Sequence, residues 1–252
     1  PGRLLSVGVL IIITFFSAGV AVVSAEEYTC VAQWGSYGTL DGQFTSPWGI
    51  AVDSEGYVYV TDFDTLRIQK FTSNGTYIRE WKWTTYGWPQ DIVVDTYQNL
   101  YICAHMYGMV MKVPGDGTPS TFLPTNYETV GWTNYYVYGL GVDKNDNIYI
   151  CGGNPNDGGT PSVGKYTPDW TFVTSWGNHP SSSAPGELNG SFDVAVDNLG
   201  YVYVIDRNPR VQKFTPNGNY LRQWGSYGTG NGEFISPRYI AIDSENNVYV
   251  TD

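Results

Sequence analysis

A short motif occurs five times along the chain, and its repetition constrains the fold more than any other feature. Each copy has three apolar or small residues followed by Asp, and a Tyr flanked by Val, Ile or Leu lies six residues later. Successive Asp residues are 42, 48, 54 and 46 positions apart, a spacing typical of arrays of small supersecondary units. The five pairs are Asp53–Tyr59, Asp95–Tyr101, Asp143–Tyr149, Asp197–Tyr203 and Asp243–Tyr249.

Two further apolar segments follow the motif in most units. The third segment carries a Lys at the same place in four units: Lys70, Lys112, Lys165 and Lys213. The fourth ends in a Trp in three units: Trp81, Trp176 and Trp224. All segments are rich in β-branched and aromatic residues and are bounded by turn formers, as short strands are. Each unit of about 47 residues therefore predicts a four-stranded antiparallel meander.

The strands lack a polar face, as Tyr57-Val58-Tyr59-Val60 illustrates. A sheet that is apolar on both faces must be covered on both, and radial stacking of blades achieves this in a β-propeller. A linear stack is the alternative, but it needs a polar capping unit that the sequence lacks. We therefore predict an all-β fold, a β-propeller of four-stranded antiparallel blades.

The sequence predicts four complete blades and a partial one. The fifth unit stops at Thr251-Asp252 after two strands, and an outer strand predicted over residues 28–34 can complete the last blade. These features predict a ring truncated at the C-terminus, from a parent with five or six blades.

Residues 1–25 differ from the rest of the chain. Arg3 precedes an apolar run over residues 7–23, and Val23-Ser24-Ala25 places small residues where signal peptidase cleaves. We expect a signal peptide over 1–25 and a propeller domain over 26–252, secreted or at the cell surface. An uncleaved N-terminal anchor is the alternative, and it is the one membrane contact that we expect.

The charge of the chain argues against a nucleic-acid partner. The 252 residues carry 13 Lys and Arg against 24 Asp and Glu, a formal net charge of −11. Binding to a phosphate backbone rests largely on Lys and Arg, so nucleic acid is an unlikely ligand. Three Cys residues do not make a disulfide framework, and we expect buried thiols.

The repeat resembles that of the NHL family. The series Ile50-Ala51-Val52-Asp53, Val58 to Asp62, Arg67 to Phe71 and Gly75 carries the resemblance, which is close in units one and four. Units two and three have Ala104 and Gly152 where the others have Asp. The resemblance covers residues 34–252 and implies a propeller. It leaves function open, since relatives include ubiquitin-ligase tails that bind RNA or protein, receptor sensor domains, a peptide-amidating lyase and streptogramin lyase.

Residues that recur in every unit are expected to be structural. The five Asp should accept turn N–H groups, and the five Tyr should pack between blades with their hydroxyls satisfied locally. The recurring Lys should pair with carboxylates. Within single units, Asp62 with Arg67 and Asp206 with Arg210 should form ion pairs.

Residues that differ between units are the better candidates for a binding site. The starts of the inner strands and the ends of the second strands should meet at the channel mouth and form one concavity, unless the aromatic residues simply plug the channel. The candidate ligand-binding residues are Trp48, Gln90, Tyr138, Phe192, Arg238, Tyr239, Phe63 and Arg207.

Two functions fit these positions. The first, which we favour, is a scaffold that binds a protein, peptide or glycan through its loop face. The second is a lyase or lactonase-like enzyme, similar to streptogramin lyase, using His105 as a base with Asp91 or Asp193. No His cluster has metal-ligand spacing, so we expect no metal site and no cofactor. A divalent cation such as calcium bound in the channel is the exception left open.

Overall fold

The computed structural model describes residues 10–12, 32–82, 87–105, 108–114, 122–123, 136–153, 162–177 and 183–252. These residues form strands and turns and contain no helix, so none of them supplies a helix long and apolar enough to cross a membrane. His179 and Cys30 lie outside the described residues.

Four sheets each contain four consecutive strands, and they form blades 1 to 4 in chain order. The strands of blades 1 and 2 are β4 (Pro47–Val52), β5 (Val58–Asp62), β6 (Arg67–Phe71), β7 (Tyr77–Lys82), β8 (Trp88–Val94), β9 (Leu100–His105), β10 (Met109–Val113) and β11 (Phe122–Leu123). Those of blades 3 and 4 are β12 (Tyr136–Val142), β13 (Ile148–Gly153), β14 (Val163–Tyr166), β15 (Phe172–Trp176), β16 (Ser191–Val196), β17 (Val202–Asp206), β18 (Arg210–Phe214) and β19 (Tyr220–Trp224).

Blade 5 contains β20 (Tyr239–Ile242) and β21 (Val248–Thr251), with β1 (Leu10–Ile12) on the outer edge of β21. A separate parallel pair joins β2 (Ser36–Tyr37) to β3 (Gln43–Phe44). Strand β1 lies within the segment predicted as a signal peptide, and its pairing with β21 is possible only while that segment stays attached. Cleavage after Ala25 stays a prediction.

Neighbouring blades pack face to face, with their inner strands adjacent in chain order. Between blades 2 and 3, for example, Tyr101 and Val110 join Leu140 and Ile148 in one buried cluster. Both faces of a middle blade are therefore covered, which explains why its strands show no polar alternation. The predicted all-β propeller of antiparallel meanders is confirmed.

The repeated Asp and Tyr form the same hydrogen-bonded turn in all five blades. In blade 1, one oxygen of Asp53 accepts the N–H groups of Glu55 and Tyr57, and the Tyr59 hydroxyl donates to the other at 2.9 Å. The recurring Lys approaches this Asp in three blades, as Lys213 approaches Asp197 at 3.3 Å. The turn role predicted for the Asp residues and the local hydrogen bonds predicted for the Tyr hydroxyls are confirmed, and so is the pairing of three of the four Lys. Lys112 instead lies over the Tyr101 ring, 5.1 Å from its centroid.

Among the described residues, blade 1 has one uncovered face. Ile50 is 43% exposed, whereas its counterparts Ile92, Leu140, Val194 and Ile240 are buried by the preceding blade. Trp34 packs on Phe71 beside the Gly75 turn, as Trp176 of blade 3 packs on Phe214 beside Gly218. Trp34 thus packs on blade 1 in the same way that Trp176, the last residue of the outer strand of blade 3, packs on blade 4.

Candidate functional site

The starts of the inner strands and the ends of the second strands lie at the same edge of each sheet. In blade 4, Ser191 at the start of β16 pairs with Asp206 at the end of β17. A bulge interrupts the inner strand near its start in blades 1 to 4. Bulges of this kind redirect side chains, so this edge carries residues that leave the plane of the sheet.

Side chains of the second strands tie adjacent inner strands together at these bulges. In blade 1, the N–H of Gly49 donates to the Thr61 hydroxyl, which donates in turn to the Gln90 carbonyl of blade 2 at 2.9 Å. In blade 2, Cys103 takes the place of Thr61, between the Asp91 N–H and the Tyr138 carbonyl. Cys103 and Cys151 are buried free thiols, as predicted.

Asp91 and Asp193 have the same linking role, with stronger bonds. Asp91 accepts the N–H of Ile92 in its own strand and that of Leu140 in blade 3, at 2.8 and 2.7 Å. Asp193 accepts those of Val194 and of Ile240 in blade 5, both at 2.8 Å. The two carboxylates were candidates for a catalytic role at the channel mouth, but the structure buries them and commits them to main-chain N–H groups.

Burial sets the acidity of these carboxylates. Desolvation raises the pKa of Asp91 from 3.8 to about 7, although the two N–H donors oppose the shift. The pKa of Asp193 is also raised, first by burial and then by the charge of Asp91. Burial likewise raises the pKa of the Tyr239 hydroxyl, with Asp91 and Asp193 contributing in the same direction. Asp91 and Asp193 are buried, and Tyr239 is half-buried.

A cavity of about 420 Å³ opens at the edge of blades 3 to 5, and four of the predicted ligand-binding residues line it. Tyr138 and Phe192 come from the starts of β12 and β16, Arg207 follows β17, and Arg238 precedes β20. The convergence of these side chains on one concavity agrees with the arrangement expected from the repeat alignment. The remaining lining residues are Asp206, Pro209, Ile235, Ser236 and Pro237.

Phe192 lies at the centre of this group. The Tyr138 ring meets it edge-on, with centroids 6.1 Å apart and planes at 73°. The guanidinium carbons of Arg238 and Arg207 lie 4.2 and 5.9 Å from the Phe192 centroid. Such cation–π contacts hold the arginine side chains over an apolar surface while they stay hydrated.

The wall of the cavity is held by a buried ion pair. Asp206 accepts from Arg210 Nη2 at 2.9 Å and from Arg210 Nε at 3.1 Å. The same guanidinium donates to the carbonyls of Ser183 and Glu187, so it fastens the loop that leads into blade 4. Blade 1 repeats this clasp with Asp62 and Arg67. Both predicted ion pairs are confirmed.

Trp48 and Phe63 do not line the cavity. Their rings stack with centroids 5.0 Å apart, and Phe63 stacks in turn on Trp88 at 5.5 Å. Trp48 and Trp88 are both partly exposed, so the trio forms a separate aromatic surface over blades 1 and 2. Sequence reasoning missed Trp88. The signal was its place at the start of β8, two residues before Gln90, the position aligned with Trp48.

Of the other candidates, Gln90 lies in the interior and the His105 side chain lies outside the described residues. Gln90 is buried, and its Oε1 has no hydrogen-bond partner, so the structure does not place it at an open mouth. His105 pairs with Trp88 in the sheet, and its side chain lies outside the described residues. Within the described ranges, no group of three or more His, Cys, Asp or Glu side chains is arranged to hold a metal ion.

Comparison with known proteins identifies the repeat. The NHL repeat model matches residues 44–71, which confirms the resemblance carried by the first unit. E3 ubiquitin-protein ligase TRIM71 of Gallus gallus is 40% identical over 62 residues, 23% of this chain and 7% of that protein. B-box type zinc finger protein ncl-1 of Caenorhabditis elegans is 31% identical over 64 residues, 25% of this chain and 8% of that protein. The match thus spans less than a tenth of these relatives.

Solved structures share the fold over most of the chain. A streptogramin B lyase structure aligns with a TM-score of 0.60 at 16% identity, over 82% of this chain and 62% of that one. Virginiamycin B lyase from Staphylococcus aureus gives 0.59 at 15%, over 84% and 66%. A chain of the nidogen/laminin complex gives 0.60 at 16%, over 82% and 72%. At this identity the likeness concerns the propeller fold alone.

Proposed function

We propose that this chain is a binding propeller that recognises a peptide or a segment of a protein in the cavity around Phe192. The observation that carries the proposal is the convergence of Tyr138, Phe192, Arg207 and Arg238, from three different blades, on one concavity. Aromatic and arginine side chains are the residues that most often dominate protein recognition. A rigid blade edge that holds them in place lowers the entropic cost of binding.

Two further features support a binding role. The fold recurs in a chain of the nidogen/laminin complex, a protein–protein assembly. The carboxylates considered for catalysis, Asp91 and Asp193, already accept two main-chain N–H groups each. The proposed enzymatic alternative, with a lyase or lactonase-like reaction, therefore has no free carboxylate among the candidates named for it.

We test the binding role by selection from a random peptide library with free C-termini, with a glycan array as a second arm. Phe192→Ala removes the central ring of the cavity, and Tyr97→Ala is the matched control, because Tyr97 is exposed in a turn at the other end of blade 2. We expect enriched peptides that bind the wild type and the control but not Phe192→Ala. Binding that survives Phe192→Ala would show that the cavity is not the site. Enrichment of glycans alone would replace the peptide ligand.

The enzymatic alternative has its own arm. Incubation of the purified chain with a streptogramin B antibiotic, followed by mass spectrometry, is expected to leave the substrate intact. Turnover that is lost in His105→Ala would overturn the binding assignment in favour of the lyase.

We also propose that the propeller acts outside the cytoplasm, on the strength of the predicted signal peptide. Expression with residues 1–25 present and N-terminal sequencing of the exported protein should give Glu26 as the first residue. A protein that stays in the membrane with an intact N-terminus would instead identify the segment as an anchor. Retention in the cytoplasm would overturn export altogether.

A further inference from the structure

The two arginines at the cavity differ from Arg67 and Arg210, which are buried and paired with carboxylates. Arg67 lies beside Asp62 and Glu80, and Arg210 pairs with Asp206. Arg207 and Arg238 are exposed, and neither has a carboxylate within ion-pair distance among the described residues. Two unpaired positive charges therefore converge on one ring in a chain whose net charge is −11.

Two carboxylates near this site already accept hydrogen bonds from the protein. Asp206 lines the cavity, but its oxygens accept from Arg210 and from Gln212 Nε2. Asp252, at the end of blade 5, accepts the N–H groups of Ile235 and Ser236. Among the described residues, no carboxylate is thus available as a counter-ion to Arg207 and Arg238, and an anionic group of a ligand can take that place.

Apolar surface adjoins the two guanidinium groups. Tyr138, Phe192, Ile235 and Pro237 are among the residues that line the cavity. A ligand that fills the cavity therefore needs an apolar side chain and a negative charge a short distance apart. The charged group and the apolar side chain of the ligand should be joined at nearly the same atom, because both arginines pack against the Phe192 ring.

We propose that the cavity selects a carboxylate joined directly to an apolar or aromatic side chain, as the C-terminal residue of a peptide presents it. This inference rests on the proposed binding function and names its ligand class. In a C-terminal residue the carboxylate and the side chain share one Cα, which matches the arrangement of arginines and apolar walls. The side-chain carboxylate of an internal Asp or Glu is joined to a methylene group, and that carbon carries no larger apolar side chain. Guanidinium groups bind carboxylates through paired, charge-assisted hydrogen bonds.

The test compares three small probes in titrations followed by NMR. N-acetylphenylalanine carries both features, its amide lacks the charge, and N-acetylaspartic acid α-amide carries a side-chain carboxylate without the aromatic ring. A charge-assisted hydrogen bond contributes enough free energy that we expect the acid to bind about tenfold tighter than either comparison probe. The preference should weaken as the salt concentration rises, because both arginines are exposed.

Variants of the two arginines test whether these side chains cause the preference for the acid over the amide. Arg207→Gln and Arg238→Gln should each reduce the ratio of acid to amide affinity, and the double variant should bring it close to one. Arg222→Gln is the matched control, since Arg222 is also exposed and packs over Trp224, but on the outer strand of blade 4. It should leave the ratio unchanged.

The outcomes separate this inference from the proposed function. Equal binding of acid and amide, with both weakened by Phe192→Ala, keeps the binding function and overturns carboxylate selection. Tighter binding of the aspartic acid probe overturns the C-terminal source. If the small probes do not bind but library peptides do, the same peptides are compared with free and with amidated C-termini. We expect amidation to weaken binding, and unchanged binding would overturn the inference. If neither probes nor peptides depend on Phe192, both proposals fail.

Discussion

The Asp91 carboxylate of blade 2 accepts the main-chain N–H of Leu140 in blade 3, with 2.7 Å between oxygen and nitrogen. Asp193 makes the equivalent bond to Ile240, one blade further on. The two bonds link inner strands that belong to different sheets, at the edge where the cavity opens. They give the propeller direct polar connections between blades in addition to apolar packing.

Removal of this link should destabilise the fold. Asp91→Ala leaves the buried N–H groups of Ile92 and Leu140 without an acceptor, at a cost of about 1–3 kcal/mol for each group. Urea unfolding should therefore show a lower free energy of unfolding than the wild type. Asp64→Ala, at an exposed turn carboxylate, is the control and should change it by less than about 0.5 kcal/mol. A matching, small effect of both substitutions would contradict the linking role.

The buried carboxylate also predicts a pH dependence. Burial raises the pKa of Asp91 from 3.8 to about 7, so the native protein holds a proton that the unfolded chain releases. The part of the stability that depends on protonation of Asp91 is therefore fully present below pH 3.8 and is lost as the pH rises through about 7. The free energy of unfolding of the wild type minus that of Asp91→Asn should fall as the pH rises across this range and should level off above it. A difference that grows with pH would refute the raised pKa.

The clasp behind the cavity should be needed for stability and for holding the loop that leads into blade 4. Arg210→Met leaves the buried Asp206 carboxylate without its partner, a change that typically costs about 3–5 kcal/mol. It also removes the donor to the Ser183 carbonyl and one of the two donors to the Glu187 carbonyl, so that loop should become more sensitive to limited proteolysis. Arg222→Met serves as the control on the same sheet. An unchanged proteolysis pattern in Arg210→Met would show that the loop is held by other contacts.

The aromatic trio should be independent of the cavity. Phe63→Ala separates the Trp48 and Trp88 rings, so near-ultraviolet circular dichroism should lose intensity from coupled tryptophans. The affinity for N-acetylphenylalanine should stay within about twofold of the wild type, since the trio lines no part of the cavity. A loss of affinity as large as that of Phe192→Ala would mean that the two surfaces form one site.

The fold was predictable because the same short motif occurs in five successive units. The Asp of each motif, its turn and the Tyr six residues later occur together, and in the structure they form one hydrogen-bonded unit, as Asp53 and Tyr59 show. The clasps of Asp62 with Arg67 and Asp206 with Arg210 were predictable for the same reason, since both partners lie within a few residues of each other.

The site was predictable only in part. Alignment of the units placed Tyr138, Phe192 and Arg238 at equivalent positions, and the ring geometry then brought them together. The alignment could not show that the Asp91 side chain, at the position of Gly49 and Gly139, is directed towards the next blade, where it accepts the N–H of Leu140. That direction depends on contact between blades: a Cβ at Gly139 would lie 2.4 Å from Asp193 Oδ1, so the glycine makes room for the neighbouring carboxylate. Sequence spacing contains no information on such contacts.

The most direct measurement of the central claim follows the Nε–Hε signals of the arginines by NMR during titration with N-acetylphenylalanine. We expect saturable shifts of the Arg207 and Arg238 signals at the same ligand concentrations, with the Arg222 signal unchanged. Shifts in these two signals should disappear in Phe192→Ala. If a probe or a selected peptide binds while the Arg207 and Arg238 signals stay unperturbed, the cavity around Phe192 is not the binding site.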